Sequence, residues 1–306
     1  MHDNRPLLAL GIDIGGSSAK WVLLEIAPGQ APTVRAEGLH EIPQSRLPDD
    51  VLSVIASITT AVEGEHGSVE SMGIGIPGTF APETGVALVL PNFPPLWRDF
   101  AFRDAVEARI GRGITLVNDA KAFCMAESVL GAGAGHAMVV GIVLGTGVGG
   151  GIVMRGEPLV GKGWAGELGH LVVELDGPLC GCGSRGCVEA FASASAICEQ
   201  AGRESAYEVF AAARDGDAAA QAAIDRAIRA LAAGIANVVV TLAPDVVVVG
   251  GGWVESGSQL IDPLTAAVRN RISVTPSEHI ELRPSTLGRH AGAIGAALMS
   301  TRATQS

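Results

Sequence analysis

Hydrophobic positions follow two patterns along this chain: short β-compatible runs, and longer stretches in which apolar residues recur at helical spacing. Leu7–Ile12 and Ala19–Glu25 are apolar runs on either side of a Gly-Gly-Ser-Ser turn, which predicts a β-hairpin. The rest of the first half is predicted to form strands at Thr33–His40, Ser71–Ile76 and Ile114–Val117 and helices at Asp49–Glu63, Phe100–Ile110 and Ala120–Leu130.

The second half opens in the same way, with predicted strands at Met138–Leu144 and Val148–Met154 around a Gly-Thr-Gly turn. Its remaining predicted elements are helices at Ala190–Ala201, Ala218–Leu242 and His290–Ala303 and a strand at Val246–Val249. Because both halves begin with strand, glycine-rich turn and strand, the sequence predicts an α/β protein with two similar halves and a cleft between them.

Composition limits the classes of protein that the chain can represent. At ~150 residues per domain, 306 residues predict two domains or one large one. A chain with 48% hydrophobic and 17% charged residues has ample material for a core, which excludes a largely disordered protein. The net charge of −11 argues against binding to nucleic acid or to anionic lipid, since both select for positive charge.

The expected location is the cytoplasm, without a membrane anchor. The longest apolar runs are far shorter than the ~20 residues of a membrane helix. The N-terminus shows no basic region followed by an apolar stretch, so no secretory signal is expected. Three of the five cysteines crowd into eight residues, which favours a metal site in a reducing compartment over a disulfide framework.

Glycine is unusually frequent, with 41 residues in 306 against the ~7% of an average protein. Three glycine clusters follow apolar strands: Gly15-Gly16-Ser17, Gly145-Thr146-Gly147 and Gly250-Gly251-Gly252. A turn without Cβ atoms lets backbone N–H groups approach a phosphate, although a tight hairpin that needs positive φ would also select glycine. No G-x-x-x-x-G-K-[ST] occurs, and the G-x-G-x-x-G that starts at Gly145 precedes a strand rather than a helix, so a dinucleotide fold is not supported.

Three charged residues, two of them beside the first of these turns, each leave two interpretations open. Asp13 ends the first predicted strand, and its carboxylate could hold Mg²⁺ or cap the turn. Lys20 could reach a phosphate or extend into solvent. Asp119 follows the strand Ile114–Val117 and opens a helix, where it could accept a proton from a substrate hydroxyl or serve as the helix N-cap.

A histidine and three cysteines lie within eighteen positions, at His170, Cys180, Cys182 and Cys187. These are four ligands of the types that tetrahedral zinc prefers, and four protein ligands leave no open position, so a structural zinc is predicted. A redox pair or free thiols are the alternatives; Cys124 and Cys198 are expected in the core. If one His170 nitrogen binds zinc, the other can bond outward, so Glu167, His170 and Glu189 could surround a pocket for a neutral, hydroxyl-rich ligand.

Several of these motifs together resemble the ROK family of repressors, open-reading-frame proteins and kinases, and the resemblance covers nearly the whole chain. Those motifs are Asp13–Ser17, Gly75-x-Pro77-Gly78, Asn118-Asp119, Gly145-Thr146-Gly147-x-Gly149-Gly150-Gly151, Glu167-x-Gly169-His170, Cys180-x-Cys182-Gly183-x-x-Gly186-Cys187-x-Glu189 and Gly250-Gly251-Gly252. The resemblance implies the actin-like ATPase or sugar kinase fold, with two ribonuclease H-like α/β domains. The expected division is residues 1–118 plus 291–306 for a small domain and 119–290 for a large domain that carries the zinc loop.

The resemblance also implies roles for individual residues. It implies Asp119 as general base on the primary hydroxyl of a hexose and Mg²⁺ near Asp13. The sugar-binding residues implied are Gly78, Asn92, Asn118, Asp119, Glu167, His170 and Glu189. The ATP-binding residues implied are Asp13, Gly15, Gly16, Ser17, Lys20, Gly145, Thr146, Gly147, Gly250, Gly251 and Gly252. The zinc ligands implied are His170, Cys180, Cys182 and Cys187, and members of the family are commonly homodimers or homotetramers.

A glucokinase is the expected activity, because N-acetylmannosamine kinases of the family tend to have histidine where this chain has Glu167. The alternatives are a kinase for another sugar such as N-acetylmannosamine, fructose, mannose or an amino sugar, a kinase that uses polyphosphate, and a sugar-binding protein without catalysis. A sugar-responsive repressor is disfavoured, since the ~60–80 residues of a helix-turn-helix domain do not fit before Asp13. The chain departs from the family pattern at Ser17, at Lys121 and in the stretch 288–292.

Overall fold

The computed structural model describes residues 5–255, 260–274 and 276–303. Contacts divide the chain into two compact units, each built from more than one stretch of sequence. Unit 1 comprises Met1–Leu130, Val160–Ala165 and Arg289–Ser306, and unit 2 comprises Gly131–Leu159 and Gly166–Gly288.

The first half of the chain forms a five-stranded sheet with helices. Its elements are β1 (Leu7–Ile14), β2 (Ser18–Ile26), β3 (Thr33–Glu41), α1 (Pro48–His66), β4 (Ser71–Ile76), β5 (Thr79–Phe80), β6 (Ala87–Val89), α2 (Phe102–Ile110), β7 (Thr115–Asn118) and α3 (Asp119–Val129). The strand order is β3-β2-β1-β4-β7, in which the first three strands are antiparallel while β1, β4 and β7 run parallel. The predicted hairpin, strands and helices of this half are therefore confirmed, and no end is shifted by more than three residues.

The second half repeats the arrangement. Its elements are β8 (Met138–Leu144), β9 (Val148–Met154), β10 (Glu157–Pro158), α4 (Glu189–Ala192), α5 (Ala194–Ala201), α6 (Ala206–Arg214), α7 (Ala218–Leu242), β11 (Val246–Gly250), α8 (Gly252–Glu255), α9 (Ile261–Arg269), β12 (Leu282–Pro284) and α10 (Ala291–Ala303). The strand order is β10-β9-β8-β11-β12, again an antiparallel hairpin continued by parallel strands. The prediction of two similar α/β halves is confirmed.

The predicted helix over Ala190–Ala201 is wrong in one respect, because the helix is interrupted at Ser193, which separates α4 from α5. Ser193 has an extended backbone (φ −71°, ψ 155°), and its hydroxyl accepts a hydrogen bond from Ala196 N at 3.2 Å. A serine in that conformation is a strong N-cap and begins a new helix. Its side chain is also buried, so tertiary packing fixes the break.

Close backbone packing places α10 and α3 in the same unit. A Cβ on Gly295 of α10 would lie 1.7 Å from Ala122 O of α3, and one on Gly11 of β1 would lie 1.8 Å from Ala293 O. Only glycine permits these approaches. The division by contacts therefore falls after Leu130, whereas the sequence places the boundary between residues 118 and 119.

Within the part of the chain that the structure describes, no helix is both long enough and apolar enough to cross a bilayer. The longest helix, α7, has 25 residues and carries Asp225, Arg226 and Arg229 near its middle. Its apolar face is buried in the core of unit 2 together with β8 and β11.

Candidate functional site

The first glycine turn joins β1 to β2, and its backbone conformation is one that residues other than glycine can adopt without strain. Neither Gly15 nor Gly16 has a positive φ. Gly15 N donates to Ser18 O at 2.9 Å, and a Cβ on Gly16 would meet only Asn92 Cβ, at 3.6 Å. The turn does connect a hairpin, but the interpretation that its glycines are needed for positive φ is wrong. The absence of side chains at Gly15 and Gly16 leaves the backbone accessible.

Asp13 lies at the end of β1 among basic groups. It faces Lys20 across the hairpin, with Lys20 Nζ 3.7 Å from Asp13 Oδ2. Burial raises the pKa of Asp13, and the charges of Lys20 and His290 oppose that rise without cancelling it. Gly292 of α10 completes the enclosure, because a Cβ there would lie 2.8 Å from the Asp13 carboxyl carbon.

A raised pKa at Asp13 predicts that Asp13→Asn stabilises the protein in the absence of ligands. The native state binds this proton more tightly than the unfolded chain, so stability falls as pH rises from the ordinary value of 3.8 through the raised pKa. The Tm of Asp13→Asn should therefore be close to that of the wild type at pH 4 and should exceed it by a growing margin as the pH rises to 8.

The matched control for this experiment is Asp225→Asn. Asp225 is exposed on α7 and accepts a hydrogen bond from Gln221 that asparagine can also accept, so the Tm of this variant should equal that of the wild type at each pH. Calorimetric melts of the three proteins at pH 4, 6 and 8 make the comparison. A Tm for Asp13→Asn that stays below that of the wild type at pH 8 would contradict the expectation.

The junction between β7 and α3 shows which residue caps the helix: the N-cap of α3 is Asn118 and not Asp119. Asn118, with an extended backbone, is the N-cap, and its Oδ1 accepts a hydrogen bond from Lys121 N at 3.1 Å. Asp119 is the first residue of α3, and its Oδ1 accepts from Ala120 N at 2.8 Å. The N-cap interpretation of Asp119 is therefore wrong.

Asn118 also anchors the loop after β4, since its Nδ2 donates to Gly78 O at 3.0 Å. Gly78 has φ +80°, and a Cβ there would lie 2.1 Å from Val89 O, so this position needs glycine. Asn92 has φ +67°, and its carbonyl accepts a hydrogen bond from Arg46 at 2.6 Å. The loop residues Gly78 and Asn92 are thus held by backbone contacts within unit 1.

In unit 1 the sheet register brings the candidate residues to one edge. Asp13 pairs with Gly75 on β4, and Gly75 pairs with Val117 on β7. Neighbouring strands are ~4.8 Å apart, so β1 and β7 are separated by roughly 10 Å. Asp13, the first glycine turn and Asp119 therefore share the carboxyl edge of three parallel strands, where α/β sheets commonly bind ligands.

In unit 2 the other two glycine clusters are also neighbours. Gly250, at the end of β11, pairs with Val143 of β8, and a Cβ on Gly251 would lie 2.4 Å from Leu144 O. Gly145 has no positive φ and open space around the position of its missing Cβ. The start of α5 supports this turn, because Ala194 N donates to Gly145 O at 2.8 Å and Ser195 Oγ donates to Thr146 O at 3.2 Å.

The predicted metal ligands form one cluster in unit 2. One ligand atom from each of His170, Cys180, Cys182 and Cys187 lies within 4.8 Å of all the others. Cys182 Sγ and Cys187 Sγ are 3.8 Å apart, and Cys180 Sγ is 3.7 Å from His170 Nδ1. Ligands ~2.3 Å from a tetrahedral zinc are about 3.8 Å apart, so the spacing fits this ion.

The thiol chemistry of the cluster also fits a metal. Burial raises the pKa of Cys180 to about 12 and raises that of Cys187, so both remain thiols at neutral pH unless a cation is bound. A hydrogen bond from the backbone at Ser184 lowers the pKa of Cys182. Zinc supplies the positive charge that ionises such thiols, and its binding releases their protons.

Glu189 connects the zinc cluster to the Gly-Thr-Gly turn. Its Oε2 accepts a hydrogen bond from Val148 N at 3.0 Å, and its Oε1 lies 3.4 Å from Cys180 Sγ. A Cβ on Gly147 would lie 2.5 Å from Oε2, so glycine at this turn makes room for the carboxylate. Because His170 turns Nδ1 toward Cys180, its Nε2 faces elsewhere, and Glu167 opens the 3-10 turn that carries His170.

The structure adds groups that sequence reasoning missed. His290 acts electrostatically on Asp13 from 277 positions further along the chain, and Ser193 and Ser195 support the Gly145–Gly147 turn from the start of α5. The only sequence signal for His290 is its place in the unusual stretch 288–292. The two serines carry none, because their partners depend on tertiary contacts.

Comparisons with known proteins agree with this fold. A sequence model of the ROK family matches residues 9–303. A curated glucokinase of Thermotoga maritima is 36% identical over 95% of this chain and 96% of the relative. The crystal structure of a ROK hexokinase from Thermus thermophilus has a TM-score of 0.87 and 32% identity, and the match covers 98% of this chain and 99% of that one.

A second solved structure contains ligands. It is a ROK family glucokinase from Streptomyces griseus in complex with glucose and AMPPNP, 30% identical, with a TM-score of 0.80. The match covers 96% of this chain and 99% of that one.

Proposed function

The chain belongs to the ROK family, and from that premise we propose that it transfers the γ-phosphoryl group of ATP to the 6-hydroxyl of a hexose, with glucose as the substrate. Its fold is the two-domain actin-like ATPase fold of sugar kinases, and we take the two compact units as the two domains. The observation that carries the proposal is the position of Asp119. Its carboxylate lies at the carboxyl end of β7, on the sheet edge that also holds Asp13, while Asn118 caps the helix.

In the proposed reaction Asp119 orients the 6-hydroxyl and accepts its proton as the oxygen attacks phosphorus. A positioned base of this kind accelerates proton transfer by ~10²–10⁴-fold. Asp13 is the residue that would hold Mg²⁺, which offsets the negative charge of the transferring phosphoryl group when it is bound. An approaching cation would also favour the ionised form of Asp13, whose pKa burial raises.

We assign the nucleotide to the glycine turns Gly15–Ser17, Gly145–Gly147 and Gly250–Gly252, with Lys20 beside the first. Support comes from the open space around Gly145 and from backbones that need no positive φ at Gly15, Gly16, Gly145 or Gly147. Because the net charge of the chain is −11, the triphosphate of ATP must be bound by groups at the site itself. Backbone N–H groups together with Mg²⁺ provide them.

We assign the sugar to hydrogen-bonding groups that neighbouring contacts hold in place. These are Asp119, the loop residues Gly78 and Asn92 with Asn118, and the side chains of Glu167, His170 and Glu189. The zinc held by His170, Cys180, Cys182 and Cys187 would be structural, because its four protein ligands leave no position for substrate. Its proposed contribution is to fix His170 and Glu189.

We further propose a homodimer or homotetramer in the cytoplasm, consistent with reduced cysteines. Sedimentation of the purified protein over a range of concentrations measures the oligomeric state.

A panel of sugars and phosphoryl donors tests the proposed function. Product formation is followed for glucose, mannose, fructose, N-acetylmannosamine, N-acetylglucosamine and glucosamine, each with ATP and with polyphosphate. Glucose with ATP is expected to give the highest kcat/KM. A higher kcat/KM for another sugar or for polyphosphate would replace the assigned substrate, and no turnover with any pair would refute the kinase assignment.

A further inference from the structure

Lys121 is a buried lysine in the first turn of α3, two residues after Asp119. Only 7% of its surface is exposed. Its Nζ donates a hydrogen bond to Gly163 O at 2.8 Å, across 42 positions of sequence. Both residues belong to unit 1.

Gly163 lies in a short segment, Val160–Ala165, which we call the strap. The strap is a compact turn, because Gly163 N and Ala165 N both donate to Val160 O, at 2.8 and 3.2 Å. Gly163 has φ +102°, and a Cβ there would lie 2.2 Å from Pro82 Cγ. The strap is therefore packed against the loop that follows β5, with Lys121 holding its central carbonyl.

Local stability does not account for a lysine at this position. A positive charge in the first turn of a helix opposes the helix dipole, and an ammonium taken out of water costs free energy that its partners must offset. Residues that conflict with local preferences in this way are typical of functional sites. The hydrogen bond to Gly163 O gives Lys121 a function of this kind, which is to hold the strap.

The strap leads directly into the candidate sugar residues, since only Gly166 separates it from Glu167. The turn of α3 that holds the strap through Lys121 also holds the Gly78 loop through Asn118. One helical turn thus carries Asp119 and anchors two segments that lead to sugar-binding groups.

We propose that Lys121 is a positioning residue for hexose binding: by holding Gly163 it fixes where the chain enters Glu167–His170. The proposal rests on the proposed function and adds a residue to that site. Lys121 acts through the strap, and its loss should weaken the ground state and the transition state of the sugar complex equally. Such a loss raises KM for the sugar and leaves kcat unchanged.

Three variants separate this role from general effects of charge. Lys121→Met keeps the length of the side chain but removes the donor, and Lys121→Arg keeps a donor. Lys162→Met is the matched control, because Lys162 lies within the strap but is exposed, and it lines the same groove of about 820 Å³ as Lys121. Lys121→Met is expected to raise KM for glucose about 10-fold, with kcat and KM for ATP within about twofold of the wild type. Lys121→Arg should recover at least half of that change, and Lys162→Met should show none.

Hydrogen exchange provides a readout that does not depend on turnover. Backbone amides of the strap should exchange about 10-fold faster in Lys121→Met than in the wild type or Lys162→Met, because the anchoring contact is lost. Unchanged KM and exchange in Lys121→Met, a defect confined to kcat, equal shifts in Lys162→Met, or loss of the fold in Lys121→Met would each overturn the proposal. If the wild-type protein phosphorylates no sugar, the proposed function fails, and the exchange rates still decide whether Lys121 holds the strap.

Discussion

Asp119→Asn is expected to lower kcat for glucose phosphorylation by about 10²–10⁴-fold while leaving the fold and sugar affinity nearly unchanged. Asparagine keeps the Oδ1 atom that accepts from Ala120 N, and Asn118 still caps α3, so the helix begins as before. An amide cannot accept the proton of the attacking hydroxyl. Initial rates at saturating glucose and ATP give kcat, and titration calorimetry with glucose gives the affinity.

Asp225→Asn, the same substitution at an exposed position of α7, is the control for this experiment, and its kcat should equal that of the wild type. A second measurement uses pH. If Asp119 is the base, the acidic limb of the pH dependence of kcat/KM in the wild type should be absent in the residual activity of Asp119→Asn. A kcat within tenfold of the wild-type value would remove Asp119 from the role of general base.

Cys187→Ser is expected to release the zinc and to lower Tm by roughly 6–20 °C, since several kcal/mol of stabilisation are lost at about 2–4 °C per kcal/mol. Cys187 is fully buried, and serine is a poor ligand for zinc at that position. Once zinc is lost, neither His170 nor Cys180, beside Glu189, is fixed, so KM for glucose should rise as well. Elemental analysis of the purified protein and calorimetric melting measure the two effects.

Cys198→Ser is the matched control for the metal experiment, because Cys198 lies on α5 outside the cluster and is half-buried. It should retain one zinc per chain and a Tm close to that of the wild type. If Cys187→Ser retains a full equivalent of zinc, or if the wild-type protein holds none and melts at the same temperature with and without a strong chelator, the cluster is not a structural zinc site.

Elements that depend on local sequence patterns were predicted accurately, whereas elements that depend on contacts between distant residues were not. Four elements, Ser71–Ile76, Met138–Leu144, Val148–Met154 and Ala218–Leu242, have the predicted bounds, because each is a periodic apolar run that ends at polar or turn residues. The missed strands and α8 have two to four residues, whereas the missed helices α6 and α9 have nine each. β12 has three residues and exists through its pairing with β11, and α9 contains Pro263 in its first turn, where proline is tolerated but weakens the sequence signal.

The site residues divide in the same way. The zinc ligands could be predicted together because eighteen positions contain all four of them, and glycines allow the loop to return on itself. The choice between Asn118 and Asp119 as the helix cap could not be predicted, since both residue types favour that role. The decision came from backbone geometry and from the contact between Asn118 and Gly78, 40 positions apart.

The sequence by itself determined the class of the protein: two α/β halves that each open with a hairpin, the glycine turns, the acidic residues at strand ends and the zinc ligands. These features depend on the periodicity of apolar residues and on short spacings between residues, so they can be recognised from neighbouring positions in the sequence. Only the tertiary structure decided which partners these residues have: His290 near Asp13, Glu189 on Val148 N, and Lys121 on Gly163. Those contacts join residues 41 to 277 positions apart, and only packing of the sheets and helices brings them into reach.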